Sequence, residues 1–338
     1  MKQAEPFIIP PGGEVLPGDI ANIRFTVSEN YFGDPVRIPV TIINGSKPGP
    51  KVFLSAASHG DELNGIEIIR KIAHEWDHDS ICGTIVCLPV LNVPAFIAQQ
   101  RYLPIDNQDL NRSFPGNKNG KSVNRMANSI FENFISQCDF GIDFHTSTRG
   151  RSNMLHVLAD ISNENVSDLA HSFGSNVIIN STGPSGSLRR AASEADIPTI
   201  AVELGEAHRF QKDLIDKALS GVESVLSAYS VRPIDSVSWP GWRAVINRKD
   251  EKWIRSNAGG IVSMHCSPGE LIDEGDLLCT ITNPFKSDKV EVRAPSNGLI
   301  VGLLYNPVVT PGDPICHLVN LDEETMVEYQ VTKDTAMQ

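Results

Sequence analysis

Between residues 37 and 230, short apolar or β-branched runs alternate with amphipathic stretches, and this alternation constrains the fold more than any other feature of the chain. The runs at 37–44, 51–58, 84–91, 140–145, 154–159 and 197–204 have the length and residue types of strands. Segments 63–76, 122–138 and 210–229 carry apolar residues at helical spacing, with Ser122 placed as an N-cap. Strands alternating with helices imply βαβ units and an α/β fold, a mostly parallel or mixed sheet with helices on both faces. Binding residues in such sheets gather at the carboxyl ends of strands. Chemistry is therefore expected from the polar residues that follow each apolar run.

The flanking regions differ. Residues 1–36 are rich in Pro and Gly and are expected to form an N-terminal arm, extended or folded as a pair of strands. A catalytic domain is expected over 37–232. Near Arg232-Pro233 the pattern shifts to short strands and Gly/Pro turns, so 233–338 is expected to be a C-terminal all-β domain. An internal repeat supports this. Gly260-Ile261-Val262 leads fifteen residues on to Gly275-Asp276, and Gly298-Leu299-Ile300 leads fourteen on to Gly312-Asp313. Two similar β-halves suggest a pseudo-symmetric barrel-sandwich.

A formal net charge of −12 disfavours a nucleic-acid surface, which would be basic. The six cysteines are scattered through apolar runs with no CxxC pair, as expected of buried thiols in a reducing compartment. The N-terminal residues lack the apolar stretch of a signal peptide, and no segment approaches the length of a membrane span. These features lead to the expectation of a cytoplasmic protein without membrane contact. The sequence is silent on self-association and leaves a homo-oligomer open.

Four polar clusters follow strands or lie in loops. Ser58-His59-Gly60-Asp61-Glu62 comes first, and one turn can aim His59 and Glu62 at a common point. Imidazole nitrogen and carboxylate oxygen suit Zn²⁺. His145 ends the run 140–145 and belongs at the same sheet edge, with Asp143 two residues earlier as a partner for its ring. Three protein ligands would leave a fourth position for water, the pattern of a catalytic site. In the loop Asp109 to Gly116, adjacent Asn111 and Arg112 can grip a carboxylate, and Arg101 can polarise a carbonyl. Glu203 closes the apolar run 197–204, where a carboxylate is costly without a purpose, and beside a metal it can serve as general base. Taken singly, each has a plainer reading: His145 as a satisfied core histidine, Asp143 as a cap, Arg101 and Arg112 as solvated surface, and Glu206 as a competitor for the base.

Together the clusters resemble the succinylglutamate desuccinylase/aspartoacylase family, related to the zinc carboxypeptidases. The HGDExNG block appears as His59 to Gly65, DLNRxFPG as Asp109 to Gly116, D-x-H-T as Asp143 to Thr146 and E-x-G as Glu203-Leu204-Gly205. The resemblance covers about residues 37–230. It implies one zinc per chain on His59, Glu62 and His145, with Asn111 and Arg112 as carboxylate binders, Glu203 as base and Arg101 near the scissile carbonyl. Some family members hold a second substrate carboxylate with an arginine shortly before the base; Arg189 and Arg190 lie there without a motif match.

The expected activity is hydrolysis of the amide bond of a small N-acyl amino acid or related carboxylate-bearing amide. Two alternatives remain open. One is a zinc carboxypeptidase acting on short peptides. The other is a non-catalytic carrier or binding protein, since the context of Lys289 in the β-region is similar to that of a lipoyl lysine.

Overall fold

The structure is a computed structural model that describes residues 4–148, 150–233, 241–247 and 250–320, and the backbone of 326–329. The chain opens with a short hairpin, β1 (Phe7–Ile9) and β2 (Gly13–Val15), and a long one, β3 (Ile20–Glu29) and β4 (Pro35–Asn44). Next come β5 (Lys47–Ala56), α1 (Asn64–Glu75), β6 (Cys82–Leu88), α2 (Val93–Ile97), a 3-10 turn at Leu110–Arg112, and α3 (Ser122–Asn133). The α/β part continues through β7 (Phe140–Ser147), β8 (Arg151–Ala159), α4 (Glu164–Phe173), β9 (Val177–Asn180), α5 (Leu188–Glu194), β10 (Thr199–Glu206) and α6 (Lys212–Ala228). Beyond it the described elements are all strands. They are β11 (Trp242–Asn247), β12 (Glu251–Arg255), β13 (Gly260–Met264), β14 (Leu271–Ile272), β15 (Leu277–Asn283), β16 (Lys286–Arg293), β17 (Gly298–Leu304), β18 (Val308–Val309), β19 (Pro314–Val319) and β20 (Met326–Tyr329).

The central sheet runs β3-β4-β6-β5-β7-β10-β8-β17-β19-β12. Its heart, β6-β5-β7-β10, is parallel, while β8 pairs antiparallel with β10 and β4 antiparallel with β6, so the sheet is mixed. Alternation along β5 sorts side chains onto two faces. Val52, Leu54 and Ala56 join the core under α1, α4 and α6, whereas Phe53 joins the core under α3 and α5. Gly141, on β7 opposite Phe53, has no room for a side chain: a Cβ there would stand 2.0 Å from the Phe53 ring. Gly141→Ala therefore overpacks this face and is expected to cost about 1–3 kcal/mol, read as a lower urea midpoint at unchanged slope.

Residues 7–29 contain β1, β2 and β3, with Phe7 and Val15 buried in the core and β3 at one edge of the sheet. Ser122 is not the N-cap of α3. That position is Lys121, and the Ser122 hydroxyl instead meets the Ser28 hydroxyl at 3.2 Å. α3 also ends at Asn133, and Ile135–Gln137 follows as a 3-10 turn. None of the six cysteines is disulfide-bonded. No helix among the described residues is long and apolar enough to cross a membrane.

The boundary read near residue 233 abuts residues 234–240, outside the described set, as is most of 321–338. Strand pairing crosses it twice: β11 lies parallel to β9, and β17 antiparallel to β8. The internal repeat is visible in the strands that follow. β14 comes after β13 yet pairs with β17, and β18 comes after β17 yet pairs with β13. The matching turns share their geometry. Gly275 and Gly312 have φ of 91° and 93°, a conformation that favours glycine. The carboxylate of the following aspartate accepts from the backbone N–H three residues back, Asp276 from Asp273 at 2.8 Å and Asp313 from Thr310 at 2.7 Å. Lys289 lies within β16, in register with Thr282, and not at the hairpin tip between β15 and β16.

Candidate active site

Three adjacent parallel strands, β5, β7 and β10, deliver the central groups. The chain leaves β5 through a tight turn in which Gly60 lies against the backbone of Ala95, where a Cβ would come within 2.0 Å. The Glu62 N–H donates to the His59 carbonyl at 3.3 Å, a turn that brings both side chains to one side. His145 lies two residues before the end of β7, which runs on to Ser147 and pairs with β5, and Glu203 on β10 is in register with His145.

Suitable ligand atoms of His59, Glu62 and His145 all lie within 4.8 Å of one another, and all three residues are buried. The Glu62 carboxylate stands 2.7 Å from His59 Nδ1 and 2.9 Å from His145 Nδ1. The outer nitrogen of each ring meets a different carboxylate: His59 Nε2 is 3.1 Å from Asp109 Oδ1, and His145 Nε2 is 2.7 Å from Asp143 Oδ2. Ser55 in turn donates to the other Asp143 oxygen at 2.7 Å. Carboxylates on the far nitrogens fix ring tautomers and turn the near lone pairs inward, as around a bound cation. His59 Nδ1 is buried without an aligned hydrogen-bond partner despite its closeness to Glu62. Two imidazole nitrogens and a carboxylate, one nitrogen orphaned, suit a borderline divalent ion such as zinc.

Electrostatics agree with that reading. Burial opposes charge on every one of these groups, yet Glu62 and Asp109 raise the His59 pKa, and Asp143 and Glu62 raise that of His145 well above its ordinary value. Burial likewise opposes the Glu62 carboxylate, but His59 and His145 hold it far below the usual range. Positive charge is thus favoured where the ligand atoms converge. Glu203 behaves oppositely: burial pushes it up to about 7, with His145 pulling down and Glu62 pushing up.

The remaining residues surround a cavity of ≈ 330 Å³ that reaches the ligand cluster. Arg101 donates to Glu62 Oε1 at 3.0 Å. Asp109 caps the turn that presents Asn111 and Arg112, accepting from the Asn111 N–H at 2.9 Å. The Asn111 amide lies 3.3 Å from His145 Nε2 and accepts from the Leu188 N–H at 2.8 Å. Arg112 donates to the Asn111 carbonyl at 2.6 Å and lines the cavity. His59, Glu62, His145, Asp143, Arg101, Asn111, Arg112 and Glu203, all singled out in the sequence, therefore line one space. Glu206 does not: it is buried against Arg209 at 2.9 Å.

Several lining residues match no motif in the sequence. Arg189 is buried, donates to the Ser181 carbonyl at 2.5 Å and pairs with no carboxylate among the described residues. Burial pulls its pKa down to about 10, against the pull of Asp143, Asp160 and Glu203. Arg190 points away and pairs with Glu194 at 2.7 Å. From the C-terminal strands come Glu251, Trp253 and His317. The Trp253 ring stacks on His317 at 4.5 Å, and His317 Nε2 lies 3.1 Å from Glu251. The Asp109 cap on its own turn was readable in principle, because an aspartate opening a polar turn is a common cap.

A profile of the succinylglutamate desuccinylase/aspartoacylase catalytic domain matches residues 48–229. The chain is 23% identical to the N-alpha-acetyl-L-2,4-diaminobutyric acid deacetylase of Halomonas elongata over 298 residues, 85% of this chain and 87% of that one. A succinylglutamate desuccinylase structure from Silicibacter sp. TM1040 superposes with a TM-score of 0.80 at 22% identity, covering 95% of this chain and 100% of the other. The product-bound ectoine utilization protein EutE (DoeB) of Ruegeria pomeroyi gives 0.78 at 22% identity, covering 94% and 98%. These structural likenesses establish the fold.

Proposed function

Because the chain belongs to the succinylglutamate desuccinylase/aspartoacylase family, whose enzymes hydrolyse acyl–amide bonds, we propose that it is a zinc-dependent deacylase of a small N-acyl amino acid, with Glu203 as general base. The observation that carries this reading is the convergence of the two Nδ1 atoms on Glu62, each ring braced from behind by a carboxylate. A divalent ion held by His59, Glu62 and His145 would supply Lewis acidity, lowering the pKa of water from about 16 towards ~7 and polarising a carbonyl.

The chain's own groups then divide the work. Glu203 takes a proton from the water that attacks the acyl carbon and passes it to the leaving nitrogen as the C–N bond breaks. The products are a carboxylic acid and a free amino acid. Arg101, beside Glu62, is placed to stabilise charge developing on the carbonyl oxygen. Arg112, with Asn111, and Arg189 line the cavity as candidates to hold substrate carboxylates, and burial opposes the charge on Arg189. We expect Arg189→Met to lower kcat/KM about 10–100-fold for the carboxylate substrate. A matched substrate carrying a neutral carboxamide should lose little. Equal losses on both substrates would contradict the assignment.

The relative from Halomonas elongata is named for removing an acetyl group from a diamino acid, which makes N-acetyl diamino acids the first substrates to test. The direct experiment is a screen of N-acetyl, N-succinyl and N-formyl amino acids against zinc-loaded protein, with short peptides alongside. Turnover of peptides alone would favour a carboxypeptidase. The Trp253 and His317 walls and the ≈ 330 Å³ cavity argue for the small substrates. The strand position of Lys289 argues against a carrier role, which a modified Lys289 in the mass spectrum would restore.

A further inference from the structure

Glu203 sits where β10 loses its regular pairing. The register slips after it on both sides, against β7 and against β8. Gly205, two residues on, has φ of +70° and lies so close to Gln211 that a Cβ would reach within 1.8 Å of its side-chain oxygen. A bulge re-aims the side chains beside it, and a carboxylate there is held in one direction by a side-chain partner. Among the described residues one side chain hydrogen-bonds it: Asn153 Nδ2 donates to Glu203 Oε2 at 3.3 Å.

Asn153 belongs to β8, in register with Gly205 on one side and with Gly302 of β17 on the other. Gly302 is in turn opposite His317, and His317 opposite Trp253. This row crosses the sheet from the C-terminal strands to Gly205, two residues past the base. Glycine weakens a strand interior unless close approach requires it. Gly302 is not among the glycines with positive φ, so torsion does not explain it. Space does: a Cβ at Gly302 would stand 2.5 Å from Asn153 Oδ1. The missing side chain leaves room for the amide that reaches Glu203.

We propose that Asn153, seated on Gly302 of the C-terminal β-region, is a positioning residue for the Glu203 carboxylate, so that β17 acts on proton transfer through β8. The proposal rests on the reading of Glu203 as base. A donor to the carboxylate favours its charged form and holds one oxygen, leaving the other free to accept the proton.

The test compares Asn153→Ala, the isosteric Asn153→Asp and Gly302→Ala, alone and in the Glu203→Gln background, in zinc-loaded full-length protein. We expect Asn153→Ala to lower kcat about 10–100-fold with KM within about threefold of wild type. The acidic limb of the kcat profile should move to higher pH. Asn153→Asp, which keeps the shape and replaces the donor with a charge, should shift it further. Gly302→Ala should move kcat and the limb in the same direction, and the double variant should be no worse than Asn153→Ala. In the Glu203→Gln background Asn153→Ala should cost nothing more. Isotope-edited infrared titration of the Glu203 carboxyl, which needs no substrate, should show the same upward shift in Asn153→Ala. An unchanged carboxyl titration, or losses that add in full to that of Glu203→Gln, would overturn the proposal. Full activity in Glu203→Gln alone would instead overturn the assignment of the base.

Discussion

Glutamine at position 203 should leave the fold and zinc content intact and lower kcat by about 10²–10⁴-fold, the usual contribution of a positioned acid–base group. The amide has the size of the carboxylate and can still accept from Asn153, but it cannot take a proton from water. The pH profile should change with it. Burial pushes the Glu203 carboxyl up to about 7, and a nearby dication would pull it down. The base works only when deprotonated. Wild-type turnover should therefore fall as pH drops through a limb at or below about 7, and Glu203→Gln should lack that limb. Steady-state rates from pH 5 to 9 decide the point, and an unaltered limb in the variant would assign it to another group.

The second large effect concerns the ligands. His145→Ala should lose both zinc and turnover, because it removes one of only three proposed ligands and strips Asp143 of its partner. Asp143 is 1% exposed, so it would keep the Ser55 donor and little else. Breaking a buried pair from one side costs about 3–5 kcal/mol. The variant should therefore melt well below wild type as well as binding no stoichiometric metal. Asp143→Asn is the finer control, since it keeps the shape while weakening the brace on His145. Loss of such a partner lowers metal affinity about 10–100-fold. The direction of pH dependence follows as well. In the ion-free protein, Asp143 and Glu62 raise His145, and Glu62 and Asp109 raise His59, both against burial. Metal must displace those protons, so zinc affinity should weaken as pH falls. Competitive titration with a chelator at two pH values measures this.

How far the sequence could be read depended on the range of the interactions involved. The polar residues closing the runs near Ser58, His145 and Glu203 were legible because each is a local event, an apolar run that stops at a polar residue, although the strands themselves end at Ala56, Ser147 and Glu206. The paired turns at Gly275-Asp276 and Gly312-Asp313 were legible for the same reason. What escaped depends on distant pairing. Asp109 reaches His59 across fifty residues, and Glu251, Trp253 and His317 enter the cavity only because β17 docks on β8. Arg189 has an ordinary helix-start sequence, and the loop at Gly183 packs against its guanidinium. Ser122 misled because a serine before an apolar helix is a good cap only when its hydroxyl faces the helix; here Ser28 takes it. The helix α4 was readable and went unread, with Asn163 as a true cap and Gly174 in the left-handed conformation at its end.

X-ray absorption at the zinc edge of purified, zinc-supplemented protein, combined with metal analysis, tests the central claim most directly. One ion per chain with a coordination shell of two imidazole nitrogens and oxygen, lost in His145→Ala, is the predicted result. A shell containing sulfur, or wild-type protein without a stoichiometric ion, would contradict it.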